Sequence, residues 1–274
     1  MFNHFSLFTF HLSPFRMLLA IDIGNSATKF GVFYRDELIS RFSIPTVRTY
    51  RADEINLQIR NGSTEKFSAI IISSVVPELN DDYRKFAADF YDLNAVFVDN
   101  DFDFGLKINY KPPENVGVDR LIAAFAAVEK YSKPCIVCDF GTATTIDAVN
   151  SGGEYLGGII AAGMSLLADA LSRKTSKLPR IEIKKPLRVI GDSTVRSIQS
   201  GVYFGYIGLV DGIISRMIDE LGETPRVIAT GGFAGIIAES SEKIQTVDET
   251  LLLDGLRLVY ERTISIKPVT EIKN

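Results

Sequence analysis

One short pattern occurs twice in this chain and constrains its fold more than any other feature. Leu18 to Ile21 is a wholly apolar run, the pattern of a strand buried on both faces, and Asp22 interrupts it at its end. Gly24, Asn25 and Ser26 make a turn, and Lys29 to Phe33 starts a second strand; Gly and Asn tolerate positive φ, so the chain can reverse tightly here. The second copy, Val137 to Ile146, reads Val-Cys-Asp-Phe-Gly-Thr-Ala-Thr-Thr-Ile and sets Asp139, Gly141, Thr142 and Thr144 at the positions of Asp22, Gly24, Asn25 and Ala27. A single copy reads as an ordinary hairpin whose Asp caps the turn. Two copies predict a duplicated domain with facing loops. A tight turn with bare backbone N–H groups and small hydroxyls can hold a phosphate, and Asp22 sits where it could face a metal ion carried by that phosphate.

Composition removes several classes of function. The 274 residues suffice for one large domain or two moderate ones, and 46% hydrophobic with 23% charged residues is a globular balance. A net charge of -4 without basic runs argues against nucleic-acid binding. No uninterrupted apolar stretch is long enough to predict a bilayer span. The two cysteines, Cys135 and Cys138, lie on one predicted strand, where residues three apart point to opposite faces. They read as buried small hydrophobes rather than a disulfide or half a zinc site, and a reduced, cytoplasmic protein follows. Both histidines, His4 and His11, precede Met17. Residues 1–16, crowded with phenylalanine and lacking signal-peptide features, read as a leader outside the native fold. A chain starting at Met17 is expected to match the full chain in activity and melting temperature. Its body then has no imidazole, which excludes a Ser-His-Asp triad and leaves carboxylate, Lys, Tyr or Cys as general base.

The order of predicted elements repeats as well. Three strands, 18–23, 29–34 and 38–44, precede a helix at 51–60, a strand at 69–73, a helix opened by Pro77 and a short strand at 95–98. After the break at Asn109-Tyr110-Lys111-Pro112-Pro113, Gly117-Val118-Asp119-Arg120 leads into an Ala-rich helix through Tyr131. A second three-stranded meander follows, then a helix at 163–174, a long helix to Leu221 behind the cap Asp192-Ser193-Thr194, a strand at 226–229, a Gly231-Gly232 turn and a closing helix from Leu251. Gly201, Gly205, Gly208 and Gly212 share one face of the long helix. Each costs about 1 kcal/mol against Ala, so they predict a close helix approach, in the core or across a dimer.

Asp-x-Gly-Asn-Ser at Asp22, Gly-x-Asp-Arg at Gly117 to Arg120 and Asp-Phe-Gly-Thr-Ala-Thr-Thr at Asp139 to Thr145, in this order and spacing, resemble type III pantothenate kinase. The resemblance runs from Met17 to near the end of the chain. It implies an α/β fold of two ribonuclease-H-like domains of the actin, sugar-kinase and Hsp70 type, expected at 17–116 and 117–274. It also implies transfer of phosphate from ATP with Mg2+ to pantothenate, giving 4'-phosphopantothenate, the first step of coenzyme A biosynthesis, in a cytoplasmic homodimer. Ser26 stands where the family more often has Thr, which keeps the hydroxyl.

The same resemblance implies roles for individual residues. Asp22, Ile23, Gly24, Asn25, Ser26, Ala27, Thr28 and Lys29 hold the nucleotide with Thr142. Asp139 binds a monovalent cation, K+ or NH4+. Tyr110, Gly117, Val118, Asp119, Arg120 and Thr194 form the pantothenate site, with Asp119 as proton acceptor. The residues alone leave alternatives: Asp119 also reads as a dipole partner in the first turn of a helix, Thr194 as part of a cap, and Asp139 and Thr142 as turn and strand residues. A helix N-terminus and a neighbouring Arg are both expected to lower the pKa of Asp119. Competing readings are a kinase of another small alcohol on the same fold, a non-catalytic regulator of the Bvg accessory factor kind and an actin-like filament. The absence of a Walker A sequence disfavours a P-loop kinase.

Overall fold

The computed structural model describes residues 17–266; the expected leader at 1–16 and the last residues of the charged tail lie outside them. The first half runs β1 (Met17–Ile23), β2 (Ala27–Tyr34), β3 (Glu37–Pro45), α1 (Ala52–Gly62), β4 (Ala69–Ser74), α2 (Asn80–Tyr91) and β5 (Val96–Phe97). Pro77 opens a single 3-10 turn ahead of α2 rather than the α-helix itself. A short β6 (Lys107–Ile108), not foreseen in the sequence, precedes α3 (Val118–Tyr131). The second half runs β7 (Cys135–Phe140), β8 (Ala143–Val149), β9 (Glu154–Ala162), α4 (Met164–Lys174), α5 (Thr194–Leu221), β10 (Arg226–Thr230), α6 (Ala234–Ala238), β11 (Thr246–Val247) and α7 (Leu251–Ile266).

The duplication is complete at the level of sheet order. The first sheet is β3-β2-β1-β4-β5, and the second carries β9-β8-β7-β10-β11 in the same relation, with β6 added beside β9. In each, two antiparallel hairpins precede a parallel crossover through helix, from β1 to β4 and from β7 to β10. The turn between β1 and β2 is three residues, Gly24 to Ser26, whereas that between β7 and β8 is only Gly141 and Thr142. This corrects the simple alignment of the two motifs. Ile23 pairs with Thr28 and Phe140 with Thr144, so Thr144 is the counterpart of Thr28, not of Ala27. Each of these threonines is buried beneath its loop and bonded through its hydroxyl, Thr28 to Thr46 and Thr144 to Tyr206.

Alternation along the strands sorts residues between an outer and an inner layer. On β1, Leu19, Ile21 and Ile23 face α1 and α2, while Leu18 and Ala20 face inward with Asp22 next in the same series. On β7, Ile136, Cys138 and Phe140 face α5, while Cys135 and Val137 face inward with Asp139 next. The two cysteines thus enter different cores, as three-residue spacing requires, and both are free and buried. Helices α3 and α7 fill the space between the sheets: Ile122 and Phe125 of α3 and Leu252 and Leu256 of α7 join one core with Leu18, Phe33, Ile71, Val137 and Ile228. Two elements cross the expected boundary at 116/117. β6 pairs with the second sheet, and α7 packs on β1, β2 and β4 of the first.

By length and hydropathy α5 meets the requirement for a membrane-crossing helix. Its Ile198, Val202, Tyr203, Tyr206, Val210 and Ile214 are buried in the second core, the arrangement of a long core helix. On its other face a Cβ on Gly201, Gly205 or Gly208 would meet nothing within 4 Å, so the close approach predicted from the glycines is not made among the described residues.

Candidate active site

The inward positions at the ends of β1, β7 and β8 open into one cleft of about 310 Å³. It gathers Asp22, Gly24, Asn25, Ser26, Ala27 and Lys29 from the first hairpin, Asp139 and Thr142 from the second, and Asp119 and Arg120 from the start of α3. Ile23 and Thr28 are buried behind the first loop and shape it from below. A larger hollow of about 690 Å³ lies elsewhere, between the C-terminal ends of α1 and α2, and none of the motif residues lines it.

The first loop is held from outside. Gly24 N–H donates to the Ala27 carbonyl at 3.1 Å, the Thr46 hydroxyl donates to the Gly24 carbonyl at 2.7 Å and Thr46 N–H to the Ser26 carbonyl at 3.0 Å. Thr142 Oγ1 donates to Ser26 Oγ at 2.8 Å, so the tips of the hairpins touch. Lys29, paired in register with Asp22, places Nζ 4.0 Å from Asp22 Oδ2. Burial raises the Asp22 carboxyl to about 7, with Lys29 opposing and Asp119 and Asp139 adding to the rise.

Asp119 occupies the first turn of α3 behind the N-cap Gly117, and its Oδ1 accepts from Arg120 N–H at 2.9 Å. A Cβ on Gly117 would come within 2.5 Å of that oxygen, so glycine is what lets the carboxylate fold back over the helix start. The sequence predicted a lowered pKa for Asp119. The structure reverses this: burial outweighs the Arg120 N–H and guanidinium, Asp147 adds to the rise, and the carboxyl is pushed up.

Arg120 is not free to act as an open clamp. It is buried with Asp147, to which Nε donates at 3.1 Å and Nη2 makes the second arm of a bidentate pair. Burial works against its charge, but the Asp147 bonds prevail and push its pKa up. Tyr155 OH donates to the same carboxylate at 2.7 Å, and the Tyr110 ring lies 5.9 Å from the guanidinium. Asp147 and Tyr155 were not singled out in the sequence. The available signal was the one that marked Asp22, a carboxylate breaking an apolar strand, in Ile146-Asp147-Ala148-Val149.

Asp139 Oδ1 is buried and, among the described residues, has no hydrogen-bond partner. Gly231, at φ +91°, passes close enough that a Cβ would stand 2.4 Å from this oxygen. Burial raises the Asp139 carboxyl, against Lys29 and with Asp119 and Asp147. Gly232 and Phe233 complete this side of the cleft. Val118 is buried at the first position of α3. Thr194 is exposed at the start of α5 behind the Ser193 cap and does not line the cleft.

Two matching sheets, each presenting an Asp hairpin to a shared cleft with an Asp-Arg helix start beside it, give the architecture of the actin, sugar-kinase and Hsp70 fold. The comparisons narrow this class. The profile described as type III pantothenate kinase matches residues 18–216. The type III pantothenate kinase of Koribacter versatilis is 43% identical over 265 residues, covering 91% of this chain and 97% of that protein. The protein of the same name from Anaeromyxobacter sp. strain Fw109-5 is 46% identical over 252 residues, covering 90% and 99%. This chain belongs to the type III pantothenate kinase family. Solved structures agree on the fold. A Campylobacter jejuni protein described as a Baf family transcriptional activator aligns with TM-score 0.60 at 20% identity, covering 90% of this chain and 100% of its own. The ethanolamine utilization protein EutJ from Carboxydothermus hydrogenoformans aligns with TM-score 0.55 at 16% identity, covering 90% and 89%.

Proposed function

We infer that this chain transfers the terminal phosphoryl group of ATP to the primary hydroxyl of pantothenate, producing 4'-phosphopantothenate for coenzyme A biosynthesis. The observation that carries the reading is the meeting of the two hairpin tips over Asp22 and Asp139 with Asp119 in the same cleft. Backbone N–H groups and hydroxyls of the Gly24–Ser26 loop and Thr142 bind the phosphates, and Lys29 adds a positive charge beside them. Asp119 orients the hydroxyl and accepts its proton at a carboxylate oxygen. Its raised pKa makes it a better acceptor than an exposed Asp, and the loose transition state of phosphoryl transfer asks for the proton late. The Arg120–Asp147–Tyr155 cluster fixes the wall against which Tyr110 and the substrate rest.

Among the described residues no three His, Cys, Asp or Glu side chains group to hold a metal. Mg2+ binds through one or two carboxylates together with phosphate oxygens and water. Asp22 is the carboxylate placed to face it, and the ion, when bound, neutralises phosphate charge. Support for a monovalent cation at Asp139 comes from its buried Oδ1, an oxygen without a partner beside a glycine that leaves room. A homodimer through the open glycine face of α5 is part of the same reading, and a monomeric mass by light scattering at micromolar concentration would remove it. Two buried, unpaired cysteines accord with a reducing cytoplasm.

The test is ADP release from the purified protein with ATP, Mg2+ and pantothenate, in potassium and again in sodium. Turnover that requires pantothenate and potassium is expected. Turnover indifferent to the cation removes the role of Asp139, and no turnover from folded protein overturns the function.

A further inference from the structure

The cleft is short of free positive charge for a nucleoside triphosphate. Asp22, Asp119, Asp139 and Asp147 line it; Arg120 is committed to Asp147, and Lys29 is drawn towards Asp22 and Asp139. Phosphate recognition relies on Arg and Lys, and Arg does it through a planar fork that bonds two oxygens at once.

One further guanidinium does not line the cleft but reaches a residue that does. Arg48 lies three residues beyond β3, and its Nη2 donates to Asn25 Oδ1, at the tip of the first loop, at 3.2 Å. Its Nε donates to Glu78 Oε1 at 2.7 Å. The backbone cannot carry Arg48 away from the loop, because Thr46 is bonded to both Gly24 and Ser26. The Glu78 partnership is of another kind. Both side chains are half exposed, 55% and 52%, and an ion pair in such a setting contributes little. A phosphate can therefore displace Glu78 from the fork at small cost, whereas nothing displaces Asp147 from Arg120 so easily.

We propose that Arg48 is a nucleotide-binding residue whose guanidinium stays on Asn25 and exchanges Glu78 for the terminal phosphates of the bound nucleoside triphosphate. Glu78 parks the fork at the loop when no nucleotide is bound. This rests on the reading of the cleft as a nucleotide site, which the sequence motifs support for Asp22 to Lys29 and Thr142 but which assigns nothing to Arg48.

The experiment is calorimetric titration of ATP, ADP and AMP, with Mg2+, into the full chain and into Arg48→Ala, Arg48→Lys and Glu78→Gln, with melting temperatures alongside. Arg48→Ala is expected to weaken ATP about tenfold, the loss of one charged hydrogen-bonding partner, to weaken ADP less and to leave AMP unchanged. Arg48→Lys, which keeps the charge and loses the fork, should fall between. Glu78→Gln should tighten ATP by releasing the fork. If Arg48→Ala binds ATP as the wild type does, if it weakens ATP and AMP alike, or if Glu78→Gln weakens ATP, the proposal is overturned and Arg48 only braces the loop. Should Arg48→Ala melt early, Arg48→Lys and Glu78→Gln decide by the same criteria. A wild-type protein that binds no ATP fails the nucleotide reading itself, a result separate from any difference among variants.

Discussion

Thr142 Oγ1 and Ser26 Oγ, from loops 116 residues apart in sequence, share a hydrogen bond of 2.8 Å across the mouth of the cleft. Neither hydroxyl is needed to hold its own hairpin, which is closed by backbone bonds such as Gly24 N–H to the Ala27 carbonyl and Gly141 N–H to the Ala143 carbonyl. The pair is therefore free to open around a phosphate.

Replacing Thr142 by Val removes this hydroxyl at an exposed position. Stability is expected to change by less than about 0.5 kcal/mol, while the KM for ATP rises several-fold. Urea denaturation and steady-state kinetics on the same preparation check both halves.

Asp119→Asn keeps the shape and the hydrogen bond to Arg120 N–H but loses the proton acceptor. The variant should fold normally and lose turnover by about 10²- to 10⁴-fold, the usual range for a general base, with little change in the KM for ATP. A kcat close to that of the wild type would remove Asp119 from the chemistry.

Asp22 predicts a pH effect of definite sign in protein free of nucleotide and divalent cation. Its carboxyl titrates near about 7 when folded, against 3.8 for the free side chain. Below about pH 4 both states hold the proton and Asp22 has no effect; between about 4 and 7 the unfolded chain has released it and the folded chain has not, so stability falls as pH rises. Asp22→Asn should cancel that fall. The variant is expected to be more stable than the wild type at pH 8, by something on the order of 2–4 kcal/mol, to match it near pH 4 and to be inactive. Urea unfolding across this range reads the crossover directly.

The Arg120–Asp147 pair is buried and satisfied on both sides. Asp147→Ala strands a guanidinium and is expected to cost about 3–5 kcal/mol. The double variant Arg120→Met/Asp147→Leu should recover much of that stability while remaining inactive. Thermal melts of the two variants side by side test this.

Much of the molecule was legible in the sequence because its signals are local. Apolar runs ended by Asp22 and Asp139 gave both hairpins, and glycine and proline marked most element ends. What escaped depends on contacts distant in sequence. Burial decides the direction of the Asp119 shift, and no local rule weighs desolvation by α3 and the facing sheet against a neighbouring Arg. Asp147 looked like a strand residue until β8 turned it inward to Arg120. The two-residue strands β6 and β11 exist through pairing with β9 and β10, not through any propensity of their own. Thr194, expected at the substrate site from its motif, is exposed at the start of α5 and outside the lining of the cleft in the single chain.

The position of α7 carries a consequence for how the protein is made. Leu18, Ala20, Phe33 and Ile71 on the inner face of the first sheet share a core with Leu252, Leu253 and Leu256 of α7. A ribosome therefore releases the first half with an apolar surface that its own strands cannot cover. Vectorial folding of that half must wait until α7 has been synthesised, and any chain cut short before Leu251 leaves the sheet open to aggregation, however sound its hairpin motif.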